Sequence, residues 1–183
     1  LAGNINGWTN TNIRYKWNAY GVGNGVVENF SSANTLSISL TSLPQGVYKV
    51  TINGFYRQGE SSVCWTNKDN GFVPSVAYLQ AGNYKVAFKP WTDAANRENN
   101  NPTDMAAAAT SFSNGDFINE LYTYVGEDGK LDLSIVSPMW IDAQGWLAYN
   151  NISMTYYKDK SAETILPTSV TLSSTSEDIF ILN

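Results

Sequence analysis

The stretch 36–57, LSISLTSLPQGVYKVTINGFYR, alternates apolar and polar residues in two consecutive runs. Leu36, Ile38 and Leu40 interleave with Ser37, Ser39 and Thr41, and Tyr48, Val50 and Ile52 interleave with Lys49, Thr51 and Asn53. A period of two gathers each apolar set on one face of a pleated strand, whereas a period of 3.6 would scatter it. Leu43-Pro44-Gln45-Gly46 lies between the runs; proline pre-sets φ for the second position of a turn and glycine accepts a positive φ at no steric cost. The pattern predicts a β-hairpin over 36–57 whose two arms bury the same kind of face. Gly54 interrupts the second arm, as glycine does at a bulge or a close backbone approach. Phe55-Tyr56-Arg57 then turns from core-like to site-like chemistry.

The same signals recur along the chain. Leu121 to Val125 and Leu131, Leu133 and Ile135 flank Glu127-Asp128-Gly129-Lys130, and Asp-Gly is a strong hairpin turn. A last long strand is predicted over 147–157, with Ile152, Met154 and Tyr156 on one face. Shorter strands are predicted near 7–9, 13–18, 26–30, 62–67, 73–79 and 83–89. Residues 90–102, PWTDAANRENNNP, follow no period and form the longest loop, a kind of segment that is often functional. One helix is predicted over 103–113, with Thr103 as N-cap, Asp104 favoured by the helix dipole and Gly115 at the stop. Runs of strands with a single helical insertion predict an all-β fold, an antiparallel β-sandwich. Composition agrees: aromatic residues make up 13% of the chain and charged residues only 15%, which suits half-buried pleated surfaces with neutral loops.

Several function classes are disfavoured. A net charge of −5 without a basic run argues against electrostatic capture of nucleic acid or of an anionic membrane. The chain has no histidine, hence no Ser-His-Asp machinery and none of the commonest transition-metal ligand. Cys64 is the only cysteine, so neither an intrachain disulfide nor a Cys-x-x-Cys site exists. No apolar run reaches the roughly 18 residues of a membrane-spanning helix. The chain opens at Leu1 without a signal-like segment and reads as a mature or trimmed sequence. No pair of Asp or Glu residues stands in a setting typical of a glycosidase, and catalysis is not expected.

Six motifs occur in an order shared with one known group: Gly7-Trp8; Leu43-Pro44-Gln45-Gly46-Val47-Tyr48-Lys49-Val50; Gly54-Phe55-Tyr56-Arg57; the Ala-rich helix with Phe112; Val125-Gly126-Glu127-Asp128-Gly129-Lys130-Leu131; and Trp146 through Asn151 to Tyr156-Tyr157. Over about 7–157 the chain resembles the galactose-binding-like β-sandwich (jelly-roll, carbohydrate-binding-module-like) domains of secreted surface proteins from glycan-degrading gut bacteria. The resemblance implies a non-catalytic appendage of an exported or cell-surface protein, with a glycan or polysaccharide and the other domains of the same polypeptide as partners. The family's last strand more often carries an Asp where Asn150 stands here, and an apolar residue where Ala148 stands. The resembled fold sometimes holds a structural calcium ion, for which Glu28 and Asn150 are the candidate ligands. Composition shifts at 158–166, and 166–172 resembles the first strand of a bacterial immunoglobulin-like domain. The implied division is a sandwich over 1–157 and a linker with the start of an Ig-like domain over 158–183.

Sugar recognition needs flat apolar platforms for pyranose C–H faces and planar polar groups for paired hydroxyls. The loop 139–146 offers Trp140, Asp142, Gln144 and Trp146. If the turns at 43–46 and 127–130 cap one end of the sandwich, Arg57 emerges at the other end near that loop. Trp91, followed by Asp93, Asn96, Arg97, Asn99, Asn100 and Asn101, offers a second aromatic-plus-amide set. For Trp146, Tyr56 and Arg57 packing within the fold competes with binding, for Trp91 a role as buried loop anchor does, and Trp65 reads as core. The expectation is a module binding neutral glycan at a loop edge; the alternative is a structural or protein-interaction spacer of the same fold.

Overall fold

A computed structural model describes residues 7–12, 21–31, 33–72, 75–137, 145–157, 170–172 and 180–182. The chain forms two packed sheets. The first comprises β1 (Thr9–Asn12), β4 (Asn34–Leu40), β10 (Leu131–Ser137), β6 (Tyr78–Ala81) and β7 (Tyr84–Ala87), in that spatial order. The second runs β2 (Gly21–Gly23), β3 (Val26–Phe30), β11 (Trp146–Tyr157) and β5 (Gly46–Arg57), and the far side of β5 is shared by β9 (Ile118–Val125) and β8 (Lys89–Pro90). All pairings are antiparallel except β5 with β8. The fold is thus the expected antiparallel β-sandwich. Near the C-terminus, β12 (Val170–Leu172) and β13 (Phe180–Leu182) pair with each other.

The alternation in β5 works as expected. Tyr48, Val50, Ile52 and Tyr56 face the space between the sheets, where they meet Leu36 of β4, Leu79 of β6 and Leu133 and Ile135 of β10. Gly54 belongs to this inward set. A Cβ there would lie 2.6 Å from Cε1 of Phe88 and 2.9 Å from Cβ of Tyr149, so the glycine marks a close approach. The bulge sits on the partner strand, where Asn151 (φ 50°) lies in the register shift between Asn150 and Ser153.

Two hairpin expectations are corrected. β4 and β5 do not pair with each other, and neither do β9 and β10: β4 pairs with β10 in one sheet, and β5 with β9 in the other. Both turns are arches that carry the chain from sheet to sheet. They lie side by side, with Leu43 N–H donating to the Gly129 carbonyl at 3.0 Å. Gly129 has φ +62°, and a Cβ there would meet the Leu43 oxygen at 2.9 Å, which explains the Asp-Gly without a hairpin. Local alternation reports which face of a strand is buried; the identity of its hydrogen-bonding partner is set by the rest of the chain.

The expected strand at 62–67 is instead α1 (Ser61–Asp69), so the described residues hold two α-helices where one was expected. Cys64 and Trp65 are buried together while Val63 is 45% exposed, a helical distribution that alternation would forbid. Packing of Trp65 against Trp91, with ring centroids 5.3 Å apart, overrides the strand propensity of Val63-Cys64-Trp65-Thr66. The predicted helix is present as α2 (Met105–Ser113), capped one residue later than expected: the Asp104 carboxylate accepts from Ala107 N–H at 2.8 Å. It closes with Gly115 N–H on the Phe112 carbonyl and Asp116 N–H on the Ser111 carbonyl, both at 3.1 Å.

A second apolar cluster lies on the outer face of the second sheet. Val26, Phe55, Trp146 and Ala148 point outward from it and are covered by Ala108 and Phe112 of α2, by Phe117, and by the Trp65–Trp91 pair. β5 is therefore buried on both faces toward its C-terminal end, and the aromatic end of the chain's organising strand becomes core.

Candidate functional site

The site is built where β5 changes partner. β9 covers β5 from Gly46 to Asn53, and β8 takes over at Phe55 and Tyr56. Asn119 holds this junction. Its amide donates to the Gly54 and Phe117 carbonyls, each at 2.8 Å, and its Oδ1 accepts from Lys89 N–H at 2.8 Å. β8 then delivers the chain to Trp91, whose Nε1–H donates to the Pro102 carbonyl at 3.0 Å. On the other side of β5, Trp146 stands opposite Arg57 in register. Arg57 thus emerges between two indoles, its guanidinium carbon 5.1 Å from the Trp146 ring centroid and 5.8 Å from that of Trp91. Cation–π contacts of this kind restrict where a guanidinium can sit.

Arg57 is the floor of an open depression of about 390 Å³, walled by Glu60, Ser61, Ser62 and Asn100. Burial pulls the guanidinium below its ordinary pKa range, with Cys64 and Glu60 opposing the shift. Asn100, held at φ +55°, accepts from Trp65 Nε1–H at 2.8 Å. A fixed guanidinium beside a carboxylate, two hydroxyls and an amide can hydrogen-bond paired ligand hydroxyls.

The expected site residues separate. Arg57 lies at the far end of the sandwich from the two arches, as the topological argument required. Trp91 and Trp146 are corrected as sugar platforms: they are 1% and 2% exposed. Phe55 meets Trp146 edge-on at a centroid distance of 4.9 Å, and Trp65 meets Trp91. Of the amides near Trp91, Asn96 and Asn99 serve the loop itself, Asn96 Oδ1 accepting from Glu98 N–H and Asn99 Oδ1 from Asn101 N–H. Tyr56 and Trp65 are buried. Trp140, Asp142 and Gln144 lie outside the described residues. The strand expected over 62–67 takes in Ser62 but neither Glu60 nor Ser61; the polar run directly after Arg57 is the signal available for all three.

Glu28 and Asn150, the candidate calcium ligands, each carry a hydrogen bond within the protein. Glu28 Oε2 accepts from Trp146 Nε1–H at 2.8 Å, and the Asn150 amide donates to the Gly25 carbonyl at 3.2 Å. No group of three Asp, Glu, His or Cys side chains that could hold a metal ion lies among the described residues.

Burial raises the Glu28 carboxyl above the ordinary glutamate range, and the hydrogen bond from Trp146 opposes the shift. The folded chain therefore binds this proton at higher pH than the unfolded chain. The associated stabilisation is complete below the unfolded pKa and is lost as pH rises through the folded one. Relative to Glu28→Gln, the wild type is expected to gain stability as pH falls toward the ordinary carboxylate range, with a constant difference at neutral pH and above. Urea unfolding of both proteins across that range checks this; a difference that stays flat would refute it.

Fold and site together define an antiparallel β-sandwich with an arginine-floored depression at one end. No protein-family model matches the chain, and no curated protein matches it. Among solved structures it is similar to TmCBM61, a carbohydrate-binding module determined in complex with β-1,4-galactotriose. The match has 13% sequence identity and a TM-score of 0.48, and covers 85% of this chain and 92% of that chain. No helix among the described residues is long and apolar enough to cross a membrane.

Proposed function

We propose that the chain is a non-catalytic module that binds neutral glycan in the depression floored by Arg57, as part of an exported polypeptide. The observation that carries the reading is the guanidinium held between Trp91 and Trp146 beside Glu60, Ser61, Ser62 and Asn100. This arrangement offers charged and neutral hydrogen-bonding groups at fixed positions and an open mouth, which suits a hydroxyl-rich ligand bound shallowly. Trp140, Asp142 and Gln144 enter the proposal on their chemistry, as a ring platform and paired hydroxyl partners for the same ligand.

The test is isothermal titration against plant and mucin polysaccharides and β-1,4-galactotriose. At least one neutral glycan is expected to bind. Glu60→Gln is expected to weaken it roughly tenfold, the scale of one charge-assisted hydrogen bond, without changing the melting temperature. Arg57→Lys, which keeps the charge and loses the planar fork, is expected to weaken it at least as much. Failure of every glycan to bind, or unchanged binding in both variants, would defeat the reading. It would leave the spacer, which draws its own support from the burial of Trp91 and Trp146.

A further inference from the structure

A second depression lies at the opposite end of the sandwich, beside the arches. It measures about 300 Å³ and is bounded by Asn83 and Tyr84 on one side and by Tyr124, Asp128, Lys130 and Asp132 on the other. Tyr124 is set back near the start of β5, opposite Val47. Arg57 is ten residues further along that strand, about 33 Å at ~3.3 Å per residue. The two depressions therefore share no residue and face different ends of the fold.

Three features distinguish this place from an ordinary groove. Tyr84 and Tyr124 are 42% and 38% exposed, two of the few large aromatic side chains that are open to solvent among the described residues. Their neighbours supply every hydrogen-bonding type a pyranose needs: a side-chain amide, two carboxylates and an ammonium group. Two of these groups, Tyr124 and Asp132, are also held in place. Gln45 Nε2–H donates to the Tyr124 hydroxyl at 2.8 Å, and the Ser39 hydroxyl donates to Asp132 Oδ1 at 2.6 Å. Beneath them, the Thr123 hydroxyl donates to the Ala81 carbonyl at 3.1 Å and ties the two sheets together across the floor. Groups locked before binding lose little entropy when a ligand arrives. Two carboxylates against one ammonium disfavour an anionic ligand and leave a neutral one.

We propose that this depression is a second saccharide site, which stacks one neutral pyranose ring on Tyr84 and hydrogen-bonds its hydroxyls through Asn83, Asp128, Lys130 and Asp132. The module is then bivalent, with sites at both ends, and joins two glycan strands or two distant points of one strand. Linked sites of this kind raise avidity toward a polymer well above the affinity of either site for a short oligosaccharide.

The test is an amide-detected NMR titration of the full chain with β-1,4-galactotriose, cellotriose, xylotriose and mannotriose. At least one is expected to shift the amides of Asn83, Tyr84 and Lys130 as a group, with its own affinity. Tyr84→Ala is expected to weaken that group's response at least tenfold and to leave Glu60, Ser62 and Asn100 unaffected, while Tyr84→Phe, which keeps the platform, retains it. The proposal is overturned if no sugar of the set moves this group, if Tyr84→Ala leaves its response unchanged, or if Tyr84→Phe loses it as fully as Tyr84→Ala. Shifts confined to this group, with none around Arg57, would instead defeat the reading of the Arg57 depression alone.

Discussion

Trp146→Ala is expected to destabilise the fold by about 4–5 kcal/mol, the upper part of the range for truncating a buried aromatic ring. The ring is 2% exposed and packs edge-on against Phe55, itself fully buried. Its loss opens a cavity in the outer cluster, between the second sheet and α2, that the surrounding rings fill only partly. Two further groups lose a partner. The partly buried Glu28 carboxylate loses the indole N–H that donates to it at 2.8 Å, and the Arg57 guanidinium loses one of the two faces that hold it. A buried acceptor left without its donor adds to the cost of the void. Urea unfolding measures the effect. Trp146→Phe restores most of the packing without the hydrogen bond and is expected to fall between wild type and Trp146→Ala. A loss below about 1.5 kcal/mol for the alanine variant would mean that the ring is not embedded as described.

Gly54→Ala is the second large effect, expected at about 2–3 kcal/mol, at the top of the range for overpacking a core. Gly54 does not adopt a positive φ, so alanine meets no backbone strain there and, by restricting the unfolded chain, would stabilise an open position. The position is closed. The new methyl would stand 2.6 Å from Phe88 Cε1 and 2.9 Å from Tyr149 Cβ. The backbone cannot retreat, because Gly54 N–H donates to the Phe117 carbonyl at 2.9 Å and its own carbonyl accepts from Asn119 at 2.8 Å. Phe88→Leu in the Gly54→Ala background is expected to recover part of the loss while being destabilising by itself, a coupling that a double-mutant cycle reads directly. Additive effects of the two substitutions would show that the methyl and the ring do not meet.

The legible part of the candidate site was its place, not its membership. The turns at 43–46 and 127–130 lie together at one end, with Arg57 at the other. Trp91 and Trp146 are aromatic residues in loop-like or strand-edge sequence. The same chemistry that makes an indole a good sugar platform makes it a good core residue, and exposure distinguishes the two. Ser61 and Ser62 line the depression because α1 begins there, and α1 was invisible while Val63 and Trp65 read as alternating strand positions. Asn119 carries no sequence signal at all. It matters because two different strands meet β5 at Gly54, a feature of the assembled sheet.

By itself the sequence determined the faces of the strands: Leu36 and Ile38, Tyr48 and Val50, and Leu131 and Leu133 are inward because their own alternation leaves them no other way to leave water. It also determined where the chain turns, since Pro44 fixes φ locally and Gly46 and Gly129 accept the positive φ those turns need. Only the tertiary structure decided that those turns are arches between sheets, that β5 exchanges β9 for β8 at Asn119, and that the indoles of Trp91 and Trp146 close around Arg57. Burial of a face is a property of a residue and its near neighbours. Pairing and enclosure require segments distant in sequence to compete for the same edge, and that competition is settled by the packing of the whole chain.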